Sequence, residues 1–101
     1  MPGTRLRIPV TGATGFIGSR LCAALSPHHD VFAVTRGGRV SPRCTPIAAD
    51  LSAQLATAGW PDAIDAVVHL AQSMRHREFP DGAADMTAIN VTATAAVLEY
   101  A

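Results

Sequence analysis

Lysine is absent from this chain of 101 residues, so its eight basic side chains are all arginine. They balance eight Asp and Glu residues, and the formal net charge is zero. That balance argues against a general nucleic-acid or membrane-surface binder, which would carry a basic excess. The short run Arg75-His76-Arg77 is too small to serve as a nucleic-acid patch. Cysteine occurs twice, as Cys22 and Cys44, with no metal-ligand spacing. Both read as buried or incidental free thiols, and a reducing cytoplasm is the compartment that fits them. Uninterrupted apolar runs are only a few residues long, too short for a bilayer span. The apolar stretch behind Arg5 and Arg7 is broken by Pro9, Thr11 and Gly12, so it reads as strand and turn, not as a signal peptide. Extended polar tracts are also missing. With 49% hydrophobic and 16% charged residues, the composition suits one soluble domain with one core.

What is present is an alternation of strand and helix patterns. Leu6, Ile8 and Val10 start a first strand. Phe16 to Leu25 reads as a helix, with Phe16, Ile17, Leu21, Ala24 and Leu25 at helical spacing, and Ser26-Pro27 stops it. Val31 to Thr35 is a β-branched second strand, Arg36 to Pro46 a loop, and Pro46 to Ala49 a weak third strand. Ser52 to Ala58 suits a short helix, and Trp60-Pro61-Asp62 a turn. Ala66 to Ala71 reads as a strand buried on both faces, and Gln72 to Pro80 as a loop. A helix from about Gly82 repeats Met86, Ile89, Ala93, Val97 and Tyr100, with Asp81 as expected N-cap. Strands joined by helical connections predict an α/β fold: a Rossmann-type parallel sheet of about four strands with helices on both faces, here its N-terminal part. Pro9 removes a ladder N–H from the first strand, predicting a bulge or some local damage.

The turn Val10-Thr11-Gly12-Ala13-Thr14-Gly15-Phe16-Ile17-Gly18 carries the chemistry. Gly12 lets the backbone turn sharply out of the strand, Gly15 lets it approach a pyrophosphate, and Gly18 lets the helix pack closely on the sheet. The N–H groups and dipole of the first helical turn favour phosphate charge, and Thr11 and Thr14 add hydroxyls nearby. No Lys-Ser or Lys-Thr pair follows the turn, which excludes a Walker-type loop. The pattern of strand before, amphipathic helix after and second strand beyond is that of a dinucleotide site.

This segment, continued through Ser19-Arg20-Leu21, resembles the N-terminal fingerprint of extended short-chain dehydrogenases/reductases, the NAD-dependent epimerase/dehydratase family. Ala49-Asp50-Leu51 resembles that family's acidic position after the third strand, which contacts adenine. Val67-Val68-His69-Leu70-Ala71 resembles its fourth strand under the cofactor, and Asn90-Val91-Thr92-Ala93-Thr94 its following helix. The resemblance implies an NAD(P)-binding Rossmann domain over residues 1–101. Its cofactor-binding residues would be Gly12, Thr14, Gly15, Phe16, Ile17, Gly18, Arg36, Asp50, Leu51, Leu70 and Ala71. The substrate of such a protein would be a sugar nucleotide or small carbonyl compound. At the end of the second strand Thr35-Arg36 replaces the carboxylate that favours NAD, and a guanidinium suits a 2′-phosphate, so NADP is expected ahead of NAD.

Family chemistry uses a Tyr-x-x-x-Lys pair, whose lysine lowers the tyrosine pKa. No such pair can be drawn from these residues, and no turnover by them alone is expected. Asn90 stands either as an accessory that holds a relay water, as in relatives, or as a local helix distortion. Ser73 follows the fourth strand without an assigned role. No glycine, asparagine or proline ends the last helix, so the sequence is expected to be part of a longer one. A non-catalytic dinucleotide sensor and an inactive fragment are the alternatives to an enzyme's cofactor half. His28-His29 read as a surface loop, His69 as a packed core histidine, and Asp62, Asp65, Asp81 and Asp85 as caps and dipole partners. With the strand order third-second-first-fourth, the fourth strand is an open edge through which a homodimer could form.

Overall fold

A computed structural model describes residues 5–37, 40, 42–51, 59–71 and 80–101. The expected helix over Ser52–Ala58, Arg39, and residues 72–79 of the loop expected from Gln72 to Pro80, with Ser73 and Arg75 to Arg77, lie outside the described residues. The element order is β1 (Arg7–Thr11), α1 (Phe16–Leu25), β2 (Asp30–Thr35), β3 (Thr45–Ala48), β4 (Val68–His69), α2 (Ala83–Thr87), a π-helical segment (Ala88–Thr92) and α3 (Ala93–Tyr100). The four strands form one parallel sheet in the order β3-β2-β1-β4.

Register sorts the side chains onto two faces. Ile8 pairs with Val31, and Val10 with Ala33 and Val68. These residues pack with Ala13, Cys22 and Cys44 on the α1 side. The other face carries Val34, which packs with Trp60 and Val97. Leu51, Ile89 and Ala93 form a further buried group beside Ala71. Helices therefore cover both faces, as the alternating pattern predicts. Trp60, expected only as part of a turn, is a core residue. It is 5% exposed and meets Tyr100 edge-on at 5.0 Å. The Tyr100 hydroxyl donates to the Pro61 carbonyl at 2.6 Å.

Three expectations need correction. In α1 the buried residues are Gly18 and Cys22, while Phe16 and Ile17 are 75% and 65% exposed. Small side chains let the helix lie close to the sheet, and the large apolar ones at its start turn outward. The last helix is capped by the Gly82 backbone with no side-chain cap, not by Asp81. It also opens into a π segment at Ala88–Thr92. This i→i+5 stretch keeps Ile89, Ala93 and Val97, spaced at four, facing inward.

The fourth strand is shorter than its apolar run suggests and only half-buried. Pro9 supplies the reason. The Leu6 carbonyl accepts from Asp30 in β2, whereas the Arg7 and Thr11 carbonyls accept from Asp65 and Leu70 on the β4 side. Backbone groups alternate sides along a strand, so the nitrogen of Pro9 faces β4, where it has no proton to give. On the β2 side the pairing runs one-to-one from Arg7↔Asp30 to Thr11↔Val34 without a bulge. In Pro9→Val, hydrogen exchange should show a protected amide at position 9 and slower exchange at Val68. The change in stability should stay within about 1 kcal/mol, because the new ladder bond offsets the unfolded-state entropy that proline removes. A rapidly exchanging amide at position 9 would contradict this assignment.

Candidate functional site

At the carboxyl ends of the parallel strands lies an open cleft of about 920 Å³. Its floor is the turn from β1 into α1. Gly12 has φ +67, the left-handed conformation that glycine adopts freely. A Cβ on Gly12 would sit 2.8 Å from the Ala71 amide nitrogen and 2.9 Å from the Leu70 carbonyl carbon. A Cβ on Gly18 would fall on the Gly12 carbonyl oxygen. Gly18 thus permits contact between helix and turn, a closer neighbour than the sheet expected from the sequence. Gly15 differs, since a Cβ there would meet only the Gly12 carbonyl oxygen, at 3.3 Å. Its outer side is exposed to the cleft.

Gly15 is the N-cap of α1 and donates its N–H to Gly12 at 3.1 Å. The first helical bond runs from the Ser19 N–H to the Gly15 carbonyl. The N–H groups of Phe16, Ile17 and Gly18 precede it, so they have no partner within the helix. The first turn holds no acidic residue and no side-chain cap, which leaves the positive end of the helix uncompensated.

Every residue singled out for the cofactor lines this cleft. Gly12, Thr14, Gly15, Phe16, Ile17 and Gly18 come from the turn and α1. Arg36 comes from the end of β2, Asp50 and Leu51 from behind β3, and Leu70 and Ala71 from behind β4. Thr35 holds the turn behind β2: its hydroxyl accepts the Gly37 N–H at 3.1 Å and donates to the Gly37 carbonyl. Arg36 is thereby set on the exposed rim. Asp85 and Ile89, from α2 and the π segment, also line the cleft and were not anticipated.

Asn90 is exposed in the π segment, and its carbonyl accepts the Thr94 hydroxyl at 3.0 Å. Thr11 does not offer its hydroxyl to the cleft as expected. It is completely buried, bonds the His69 Nδ1 at 2.6 Å, and accepts the Leu70 and Ala71 N–H groups at 3.1 and 3.2 Å. His69 is a packed, hydrogen-bonded histidine, with its Nε2 2.9 Å from the Thr94 hydroxyl. Sequence reasoning missed this network. The spacing Asn90–Thr94 on one helix face was visible, but not its meeting with strand ends distant in sequence.

Two titratable side chains away from the cleft bond the backbone of the first strand region. His29 is half-buried, with its Nδ1 accepting the Leu6 N–H at 3.2 Å. Asp65 accepts the Arg7 N–H at 2.8 Å. Burial, then the neighbouring Cys44, pushes the Cys22 thiol up to about 11, so that buried thiol is not poised as a nucleophile. Burial also raises the Tyr100 pKa, with Asp62 adding to the effect. Among the described residues no group of three His, Cys, Asp or Glu could hold a metal, and no helix is long and apolar enough to cross a membrane.

A parallel sheet with a glycine turn feeding a helix, and a cleft at the strand ends, defines a Rossmann-like dinucleotide fold. The NAD dependent epimerase/dehydratase family model matches residues 8–101, and the chain belongs to that family, whose members use NAD(P). Among solved structures it is similar to UDP-N-acetylglucosamine 4-epimerase from Methanobrevibacter ruminantium M1, in complex with UDP-N-acetylmuramic acid (TM-score 0.80, 20% identity, 97% of this chain and 34% of that one). It is similar also to L-threonine dehydrogenase from Clostridium difficile (0.74, 22%, 96% and 33%) and to uronate dehydrogenase from Agrobacterium tumefaciens (0.68, 18%, 95% and 36%). The chain spans about a third of the length of these structures. No curated protein matches it significantly in sequence.

Gly12→Ala and Gly18→Ala should each cost more than about 2 kcal/mol in urea unfolding, because backbone must move. Gly15→Ala should cost no more than about 1 kcal/mol. Burial lowers the His69 pKa below its ordinary value. The folded state therefore takes up its proton at lower pH than the unfolded state. Stability should be at its full value above about pH 6.5 and fall as pH drops through the folded-state pKa. Urea midpoints between pH 8 and 5 measure this, and His69→Gln should remove that part of the decline.

Proposed function

We propose that the chain holds a nicotinamide dinucleotide in this cleft, NADP ahead of NAD, as the cofactor half of an epimerase, dehydratase or reductase of the extended short-chain type. The observation that carries the reading is the Gly15 cradle. Backbone there is open to the cleft beside the three N–H groups of Phe16, Ile17 and Gly18, so a pyrophosphate can approach without meeting a side chain. Arg36 on the rim suits the 2′-phosphate, with a guanidinium able to pair two oxygens. Asp50 and Leu51 would flank the adenine, and Leu70 and Ala71 would lie under the nicotinamide side. When bound, the cofactor supplies the hydride chemistry. These residues bind and orient it.

A second reading is a non-catalytic binding module, in which the same residues hold the dinucleotide and no Tyr-Lys pair acts on it. The substrate of a whole enzyme, a sugar nucleotide or small carbonyl compound, is supported only by the kinds of protein that share the fold.

Calorimetric titration of the chain should give a lower Kd for NADPH than for NADH, and Arg36→Asp should invert that order. Gly15→Ala should weaken NADPH binding at least about tenfold while the chain stays folded, the signature of a side chain in the ligand's path. Equal affinities would remove the NADP assignment. Unchanged affinity in Gly15→Ala would remove the dinucleotide site.

A further inference from the structure

We propose that His69 is a positioning residue. As a neutral ring protonated on Nε2, it fastens the glycine turn to the last helix through one directional chain of hydrogen bonds. The direction follows from counting protons at each end. The Thr94 hydroxyl donates to the Asn90 carbonyl at 3.0 Å. Its oxygen must therefore accept from His69, 2.9 Å away, which places a proton on Nε2. At the other end the Thr11 hydroxyl oxygen accepts the Ala71 N–H at 3.2 Å and, shared with the Thr11 carbonyl, the Leu70 N–H at 3.1 Å. Both of its lone pairs are engaged, so its own proton goes to His69 Nδ1 at 2.6 Å. The two ends, from different elements, demand the same tautomer.

The chain of bonds joins three parts of the cleft. Thr11 directly precedes Gly12. Leu70 and Ala71, whose N–H groups converge on Thr11, are the backbone against which Gly12 is pressed. Thr94 and Asn90 lie where the last helix opens into its π segment, next to Ile89 of the cleft wall. Back-bonding from Thr94 suits the local distortion there. An imidazolium would present a second N–H to a Thr11 oxygen that already accepts two, so protonation breaks the chain at the turn. Charges that share the cleft with the ring are Arg36 from β2, Asp50 behind β3 and Asp85 from α2. β1 offers the ring Thr11, and the last helix offers Thr94. Burial is the cause of the ring's lowered titration, in keeping with a group held neutral.

Nitrogen-15 spectra of the histidine-labelled chain test this directly. At pH 7 the His69 signals should show a protonated Nε2 and a bare Nδ1, and they should persist to lower pH than those of a free histidine. An Nδ1–H tautomer, a tautomeric average or an imidazolium at pH 7 would overturn the proposal. Thr94→Val, which removes the acceptor, should disturb the ring signals, and Thr94→Ser should restore them. A Val variant with unaltered ring signals would also overturn it. The affinity consequence rests on the dinucleotide reading. NAD, whose pyrophosphate does not titrate here, should bind about five- to tenfold more weakly at pH 5 than at pH 8, the size of one lost hydrogen bond. His69→Gln should bind independently of pH across this range. An undiminished acid decline in that variant would overturn a role for His69 in the site. Absence of NAD binding at every pH would defeat the dinucleotide reading, while the ring signals still decide the tautomer.

Discussion

Backbone pressed on backbone at Gly12 is the constraint from which the rest of the cleft follows. This residue turns the chain out of β1 with a positive φ. On one side it meets the Leu70–Ala71 peptide, and on the other its carbonyl receives Gly18. Three segments distant in sequence or direction thus come within van der Waals contact, with no side chain between them. The start of α1 is held at the carboxyl end of the sheet, and its unpartnered N–H groups open on the cleft. A Cβ at either crowded glycine would push helix, turn and strand apart.

Around this contact, polar and apolar packing divide the work. Apolar residues of β1 and β2 alternate between faces, so α1 takes one side and α3 the other. Thr11 falls on the α3 side, wholly buried in a region where an unpaired hydroxyl would be costly. It is satisfied by His69 and by the two N–H groups behind β4. The Leu70 N–H is shared between the Thr11 carbonyl and hydroxyl, and the Ala71 N–H, past the end of β4, goes to the hydroxyl. Pro9 withholds a further bond from the same strand. The short β4 is thus held as much by side chains as by ladder bonds, and the π segment of the last helix supplies the matching end of the network.

Much of this was legible in the order of residues. Period-two and helical patterns located β1, α1, β2 and β3 within a residue or so, because apolar spacing carries the period of the element that bears it. The glycine spacing marks the turn, and Arg36, Asp50, Leu51, Leu70 and Ala71 follow strands whose ends meet at one cleft. They were legible because the strand ends of a parallel α/β sheet converge by topology. The buried role of Trp60, the outward turn of Phe16 and Ile17, and the shortness of β4 were not legible. Each depends on what lies opposite, and local pattern carries no record of that.

The linear chain thus settled the four strands and their parallel sheet, and the family, through periodicity and the demands of a backbone that must turn at Gly12 without a side chain. Folding decided the rest. It made Thr11 a buried hub instead of a phosphate contact. It gave His69 a single tautomer, through partners on β1 and the last helix. It left Gly15, of the three glycines, open to the cleft. Each of these is a matter of which atoms share a small volume, and that is set by contacts between segments dozens of residues apart.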